Sequence, residues 1–277
     1  MFPYIGGKSH HAKWIDNKFP HNFDTYVEVF GGAGWVLLKS NKVKHAGQII
    51  YNDFNTLLSN AFECFRTSTL DLYRKMCEYE KSNVELYRKF QRELFSEDFK
   101  FEFGDLEVAA KYLYLQTQIF SGTPLSSKNV YYFTDVKSNG KQSSKYETLK
   151  KKLINPKISC ALTRISKVEN LDCIELIRKY DSPTTLFYVD PPYFNKEFYY
   201  TKEFPTSKHF ELADTLKTIQ GKFALSYYDF DELHEMYPEK DFQWHHQKVY
   251  KSAATRSGND KDYAKKSRTT ELLIMNY

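Results

Sequence analysis

Residues 26–34 read Tyr-Val-Glu-Val-Phe-Gly-Gly-Ala-Gly, a short apolar run that ends in glycines. The run predicts a buried strand, and the glycines predict a tight turn into a helix over 33–40. A second strand follows over 48–52, and then a helix over 56–66 with one apolar face. Strands that alternate with helices are typical of a parallel α/β sheet.

The alternation is interrupted and then resumes. Residues 67–155 are polar and rich in Lys and Tyr, and they predict helices over 70–95 and 106–120 and a loop over 121–144. Beyond Pro156 we predict helices over 159–167, 172–179, 208–219 and 231–237, and strands near Val168 and over 184–189, 222–226, 242–246 and 270–276. We therefore expect a discontinuous catalytic domain, 1–66 and 156–277, that carries a helical insert, 67–155.

Composition narrows the class of protein. The chain has 277 residues, of which 41% are hydrophobic, enough to build a core. No run approaches the ~18 apolar residues of a membrane span, and the first residues lack the apolar core of a signal peptide. The four cysteines lack Cys-x-x-Cys spacing, so we expect neither zinc nor disulfides, and a cytoplasmic protein. They are Cys64, Cys77, Cys160 and Cys173.

The glycine turn has a matching acid further along the chain. Asp53 stands 21 residues after Gly32, just past the second predicted strand. Glycines allow close approach of the backbone to a ligand, and an acid at this place accepts hydrogen bonds from ribose hydroxyls. The alternatives are a tight turn alone and a helix cap at Asp53. The pair favours a nucleoside cofactor without choosing between NAD and S-adenosylmethionine.

A stiff acidic corner follows a later strand. Residues 186–193 read Leu-Phe-Tyr-Val-Asp-Pro-Pro-Tyr. The prolines have fixed φ and no N–H, so they aim the carboxylate of Asp190 and leave free carbonyls beside it. With the ring of Tyr193, the corner could grip a planar group that bears an amine. The alternative is an Asp-Pro turn with no further role.

Three segments combine positive charge with other nucleic-acid features. Residues 137–152 carry six Lys against one Glu, and residues 248–268 carry seven basic and two acidic side chains. Residues 194–204 interleave five aromatic rings with lysines. Phosphate contact is one interpretation of these segments and an ordinary solvated surface is the other. The candidate DNA-binding residues are Lys150, Lys151, Lys152, Lys196, Lys251 and Arg256.

The order of the motifs resembles a known family. It runs Gly-Gly-Lys at 6–8, Phe-Gly-Gly-Ala-Gly at 30–34, Asn-Asp-Phe-Asn at 52–55, the basic insert, and Asp-Pro-Pro-Tyr at 190–193. The whole chain resembles the Dam-type, alpha-group, adenine-specific DNA methyltransferases. The resemblance implies an α/β fold: a Rossmann-like S-adenosylmethionine-dependent methyltransferase sheet with an inserted, mainly helical target-recognition lobe. It also implies S-adenosylmethionine as cofactor, S-adenosylhomocysteine as product, and no metal.

The resemblance also assigns residues and partners. Its substrate is double-stranded DNA with a short recognition sequence, and we expect a monomer or weak dimer in a bacterial or phage-infected cell. The catalytic residues are Asp190, Pro191, Pro192 and Tyr193. The cofactor-binding residues are Tyr4, Lys8, Phe30, Gly32, Gly34, Asp53, Asp172 and Asp190. Tyr4 departs from the family, which commonly carries Trp at this position.

The implied reaction needs an adenine that is flipped out of the duplex. Asp190 and the carbonyl of Pro191 would accept hydrogen bonds from its amino group, and Tyr193 would stack on its ring. Other substrates fit the same corner: an RNA adenine, the N4 amine of cytosine or a protein glutamine. A DNA-binding protein without catalytic activity is the remaining alternative.

Overall fold

The computed structural model describes residues 2–4, 6–81, 83–119, 125, 136–138, 141–194, 204–250 and 268–277. Its centre is a seven-stranded sheet, and a separate hairpin adds two short strands. The strands in chain order are β1 Thr25–Glu28, β2 Gln48–Asn52, β3 Val136–Ser138, β4 Lys141–Ser143, β5 Lys167–Glu169, β6 Thr185–Val189, β7 Lys222–Tyr227, β8 Gln243–Tyr250 and β9 Arg268–Met275.

The order across the large sheet is β5-β2-β1-β6-β7-β9-β8. The first five strands pair in parallel, and β9 runs antiparallel to both of its neighbours. This mixed α/β architecture, with a mostly parallel sheet, confirms the predicted Rossmann-like fold. The helices are α1 Ala12–Lys18, α2 Trp35–Lys39, α3 Thr56–Cys77, α4 Val84–Leu94, α5 Leu106–Gln118, α6 Lys145–Leu153, α7 Pro156–Thr163, α8 Cys173–Tyr180, α9 Thr206–Thr218 and α10 Asp231–Met236.

Two apolar cores lie on the two faces of the sheet. Successive strand residues alternate between them, so Tyr26 and Tyr188 face one core while Val27 and Val189 face the other. Helices α1 to α7 pack on the first face, and α8 to α10 pack on the second. The central strands β1, β6 and β7 are buried on both sides, as is expected for a parallel sheet.

The helical insert shares the first core. The predicted boundary between residues 66 and 67 lies inside α3, which has a kink at Ser68. Helix α5 packs along α3, and their buried side chains belong to the same cluster as the strand residues. The division into a catalytic domain and a recognition lobe therefore stays a prediction about function.

Two predicted segments were wrong in part. The helix predicted over 159–167 is α7, which begins earlier because the Asn155 side chain accepts from the N–H groups of Lys157 and Ile158 and Pro156 fits the first helical position. The loop predicted over 121–144 includes the β3–β4 hairpin. Its other residues lie mostly outside the described part of the chain.

The sheet topology places the two sequence motifs side by side. Strands β1 and β6 are neighbours, and their register pairs Glu28 with Tyr188. Two residues further on, the glycine turn and Asp190 leave the same edge of the sheet. In open α/β sheets, this switch point between two crossover directions is where ligands bind.

None of the described helices has the length and apolar character that a membrane span needs.

Candidate active site

The glycine turn after β1 is shaped by close contacts. A Cβ on Gly31 would lie 2.2 Å from the ring of Tyr51, so only glycine fits there. Gly32 and Gly34 have positive φ values of 49° and 64°, which glycine adopts without strain. The Tyr4 ring lies against Gly32, about 3.2 Å from where a Cβ would stand. The turn therefore presents bare backbone beneath an aromatic ring.

Asp53 holds this turn from the end of β2. Its Oδ2 accepts from the N–H of Gly32 at 2.8 Å, and its Oδ1 accepts from the N–H of Asn55 at 2.8 Å. A carboxylate beside this glycine backbone, at the end of a parallel strand, fits the ribose of a nucleoside cofactor.

The loop before α8 contacts Asp53 at the same edge of the sheet. The Asn170 side chain donates to the carbonyl of Asp53 at 2.7 Å. Asp172, two residues later, caps α8 through the N–H of Ile174 and forms an ion pair with Lys208 at 3.0 Å. Asp172 thus follows a residue that contacts Asp53, while the contacts of its own carboxylate are with α8 and α9.

The acidic corner after β6 contains a buried ion pair. Lys8 is only 6% exposed, and its Nζ lies 3.2 Å from Asp190 Oδ1 and 2.8 Å from Glu271 Oε1. It also contacts the hydroxyl of Tyr193. The Gly-Gly-Lys segment at the start of the chain is therefore anchored inside the site.

Glu271, on β9, contacts three other side chains of this cluster. Its Oε1 accepts from the Tyr193 hydroxyl at 2.7 Å and from the Ser226 hydroxyl at 2.9 Å, in addition to the ion pair with Lys8. A carboxylate that meets three donors at one oxygen fixes the position of each of them. Sequence reasoning missed both Glu271 and Ser226.

The pKa values follow from this burial and charge. Burial raises the pKa of Asp190 to about 7, although Lys8 lowers it, and the nearby Glu271 raises it further. Burial would also raise the pKa of Glu271, but Lys8, Tyr193 and Ser226 bring it below its ordinary value. Burial lowers the pKa of Lys8, yet its two carboxylate partners outweigh this effect and the net shift is upward.

Two acceptors remain open at the corner. In the described part of the chain, no donor bonds the second oxygen of Asp190 or the carbonyl of Pro191. The Tyr193 ring stacks with Tyr227 at 5.7 Å between ring centroids and is tilted against Tyr228 at 5.2 Å. An anchored carboxylate, a carbonyl and a half-buried ring therefore meet at one point.

The comparison with known families is decisive. The family model of the D12 class N6 adenine-specific DNA methyltransferases matches residues 4–253. The chain belongs to this family. No curated protein matches its sequence.

As a D12 class enzyme, this protein methylates N6 of adenine in DNA and depends on S-adenosylmethionine. The match begins at Tyr4 and includes the glycine turn, Asp53, the helical insert and the Asp-Pro-Pro-Tyr corner. These motifs are the ones that the structure gathers at one edge of the sheet. The Tyr4 ring, the glycine backbone and the Asp53 carboxylate suit the cofactor of a D12 class methyltransferase.

The three predicted DNA-binding lysines that lie in the described part of the methyltransferase differ in their surroundings. Lys150 pairs with Glu147 at 2.7 Å, and its side chain is only 14% exposed. Lys151 is exposed, whereas the Nζ of Lys152 lies 5.4 Å from the centroid of the Trp35 ring. Three other predicted positions, Lys196, Lys251 and Arg256, lie outside the described residues. Lys248 and Arg268, predicted in a loop, belong to β8 and β9.

Proposed function

We propose that the Asp-Pro-Pro-Tyr corner is the catalytic centre, and that it receives an adenine flipped out of double-stranded DNA. The amino group of adenine has two hydrogens and a lone pair that is delocalised into the ring. Two acceptors on those hydrogens favour a tetrahedral nitrogen and stabilise its developing positive charge. The single observation that supports this role most is a pair of acceptors to which no described residue donates, the second carboxylate oxygen of Asp190 and the carbonyl of Pro191.

The reaction balances without a metal. When bound, S-adenosylmethionine supplies an electrophilic methyl group on a sulfonium. The adenine nitrogen would receive this methyl group, and the electron pair of the carbon–sulfur bond would stay on sulfur. One amino proton is released. Asp190, with a pKa of about 7, is matched to accept this proton and pass it to solvent.

Lys8 and Glu271 serve as positioning residues in this scheme. Lys8 holds Oδ1 of Asp190, which leaves the second oxygen for the substrate. Glu271 in turn holds Lys8 and the Tyr193 hydroxyl. The Tyr193 ring would stack on the flipped base and offset part of the few kcal/mol that flipping costs.

The cofactor site that we propose adjoins this corner. Asp53 would bind the ribose, since its carboxylate lies at the end of β2 against the backbone of Gly32. Tyr4, Lys8, Phe30, Gly32 and Gly34 would surround the methionine part. Asp172 would approach the adenine ring of the cofactor.

Duplex DNA would lie along the insert, 67–155, which we propose as the recognition lobe. Among its lysines, Lys151 is exposed and Lys152 lines a cavity, so both can reach phosphates. Lys150 is engaged with Glu147 and would have to change partner. Lys196, Lys251 and Arg256 remain proposed DNA contacts.

Labelled S-adenosylmethionine tests the proposal against its rivals. The protein is incubated separately with DNA, RNA and a protein substrate, and the products are digested and analysed by mass spectrometry. We expect label only in DNA, as N6-methyladenine. Label in RNA alone, or as N4-methylcytosine, would contradict it. Sequencing of the modified bases then defines the target, and 2-aminopurine placed there should gain fluorescence on binding if the base is flipped.

A further inference from the structure

A cavity lies beside the segment that carries Lys8. Its volume is about 290 Å³, at the lower end of the range for ligand sites. Its walls come from the first residues of the chain, from the start of α2 and from one face of α6. The side chains that matter are Trp35, Lys145 and Lys152, together with Tyr4 and the backbone of Gly7.

Trp35 forms the aromatic wall. Its indole lies against Gly7, where a Cβ would be 3.1 Å from the ring. Two ammonium groups approach the ring, that of Lys39 at 5.0 Å and that of Lys152 at 5.4 Å from its centroid. Lys39 is held there by the carbonyl and hydroxyl of Ser9, each at 2.8 Å. The wall therefore combines a flat apolar surface with fixed positive charge.

Lys145 adds a third ammonium group, and this one has no carboxylate partner among the described residues. Its side chain is half-buried, and its Nζ donates to the carbonyl of Ile119 at 3.4 Å. No carboxylate in the described part of the chain forms an ion pair with it. Burial alone lowers its pKa. A half-buried cation without an anion is costly, and an anionic occupant of the cavity would remove that cost.

We propose that this cavity binds one nucleotide unit of the DNA backbone, with the phosphate at Lys145 and Lys152 and the sugar or base against Trp35. Cationic groups around an aromatic ring are the features that hold a nucleic-acid strand without reading its sequence. Because Gly7 lines the cavity and Lys8 holds Asp190, a strand bound here runs next to the catalytic corner. This inference rests on the proposed function, since DNA is the ligand.

The fluorescence of Trp35 reports on occupancy directly. The chain has three Trp residues, and replacing Trp14 and Trp244 with Phe leaves Trp35 as the only one. This variant is titrated with a duplex of G·C pairs alone, which contains no methyl acceptor. Thymidine monophosphate and inorganic phosphate are titrated separately, and anisotropy of the labelled duplex measures binding independently.

We expect the duplex to change Trp35 fluorescence, and added salt to abolish the change. Lys145→Gln in the same background should weaken duplex binding about three- to tenfold. It should also lower the slope of log K against log salt by about 0.9, as is expected for one lost phosphate contact. Lys157→Gln on α7 removes the same charge from an exposed position outside the cavity and should change neither quantity.

Four outcomes would overturn the proposal. The first is a Trp35 signal that stays constant while anisotropy shows that the duplex binds. The second is a response to thymidine monophosphate or phosphate but not to the duplex, which would assign the cavity to a small free anion. The third is a failure of any duplex to bind, which would contradict the proposed function as well. Formation of N6-methyladenine without a Trp35 response would contradict the cavity proposal alone.

Discussion

The hydroxyl of Tyr193 donates to Glu271 Oε1 at 2.7 Å, which connects the ring of the Asp-Pro-Pro-Tyr corner to β9, the last strand in the chain. The ring and the hydroxyl can therefore be tested separately. Tyr193→Phe keeps the ring and should lower the single-turnover rate only a few-fold. Tyr193→Ala removes the stacking surface, worth about 1–3 kcal/mol, and should lower the rate or the base-flipping signal about 5- to 150-fold. Equal effects of the two variants would contradict a stacking role.

The negative charge of Glu271 raises the pKa of Asp190. Asp190 must be ionised to accept from the adenine amine, and burial places its pKa at about 7. The single-turnover rate of the unmodified enzyme should therefore rise with pH through about 7. Glu271→Gln removes a like charge and leaves Lys8 to Asp190 alone, so the pKa of Asp190 falls and this rise moves to lower pH. An unmoved profile would show that Glu271 acts only structurally.

Asp53 provides a test of the cofactor site that does not depend on turnover. Asp53→Ala removes the acceptor proposed for the ribose and releases the N–H of Gly32. We expect S-adenosylhomocysteine to bind about 10- to 100-fold more weakly by calorimetry. Asp181→Ala, whose carboxylate bonds the backbone of Gln220 and Gly221 instead, is the matched control and should keep the affinity. Equal losses of affinity in both variants would indicate that Asp53→Ala acts through folding and not through the cofactor site.

The raised pKa of Glu28, on β1 before the glycine turn, makes the stability of the fold depend on pH. Burial raises its pKa to about 8, although its bonds from Tyr26 and the N–H of Leu37 lower it. The folded form stays protonated over a range where the unfolded chain is ionised, so this group destabilises the fold as pH rises from about 4.5 to 8. Glu28→Gln keeps an acceptor without the charge. Its Tm should exceed that of the unmodified protein by about 2–4 °C at pH 8 and by less at pH 5. A constant difference would contradict this.

Most of the sheet could be predicted from local patterns. β2 coincides with the predicted strand, and the glycine turn, Asp53 and Asp190 meet at one edge because parallel strands share their carboxyl ends there. Glu271 could not be found in this way, because β9 is inserted antiparallel between β7 and β8. That pairing follows from sheet topology and not from any nearby motif. An acid directly before the apolar residues 272–275 of a final strand is its only signal in the sequence.

The surroundings of the lysines predicted to bind DNA could not be read from the sequence. A run of lysines such as 150–152 indicates positive charge but not where each side chain points, because consecutive side chains on a helix point to different sides. Lys150 consequently meets Glu147 while Lys152 meets Trp35. The role of Trp35 depends on contacts between α2 and α6, which are distant in the chain. Only the folded structure brings them together.

The central claim is that Asp190, held by Lys8, accepts from the adenine amine during methyl transfer. Asp190→Asn replaces the ionised acceptor with an amide of the same shape. Single-turnover transfer at pH 8 should fall by about 10³-fold or more, as is found when a preorganised electrostatic contact to the reacting atoms is lost. Duplex binding and S-adenosylhomocysteine binding should stay within a few-fold of the unmodified protein. Transfer at the unmodified rate by this variant would contradict the account.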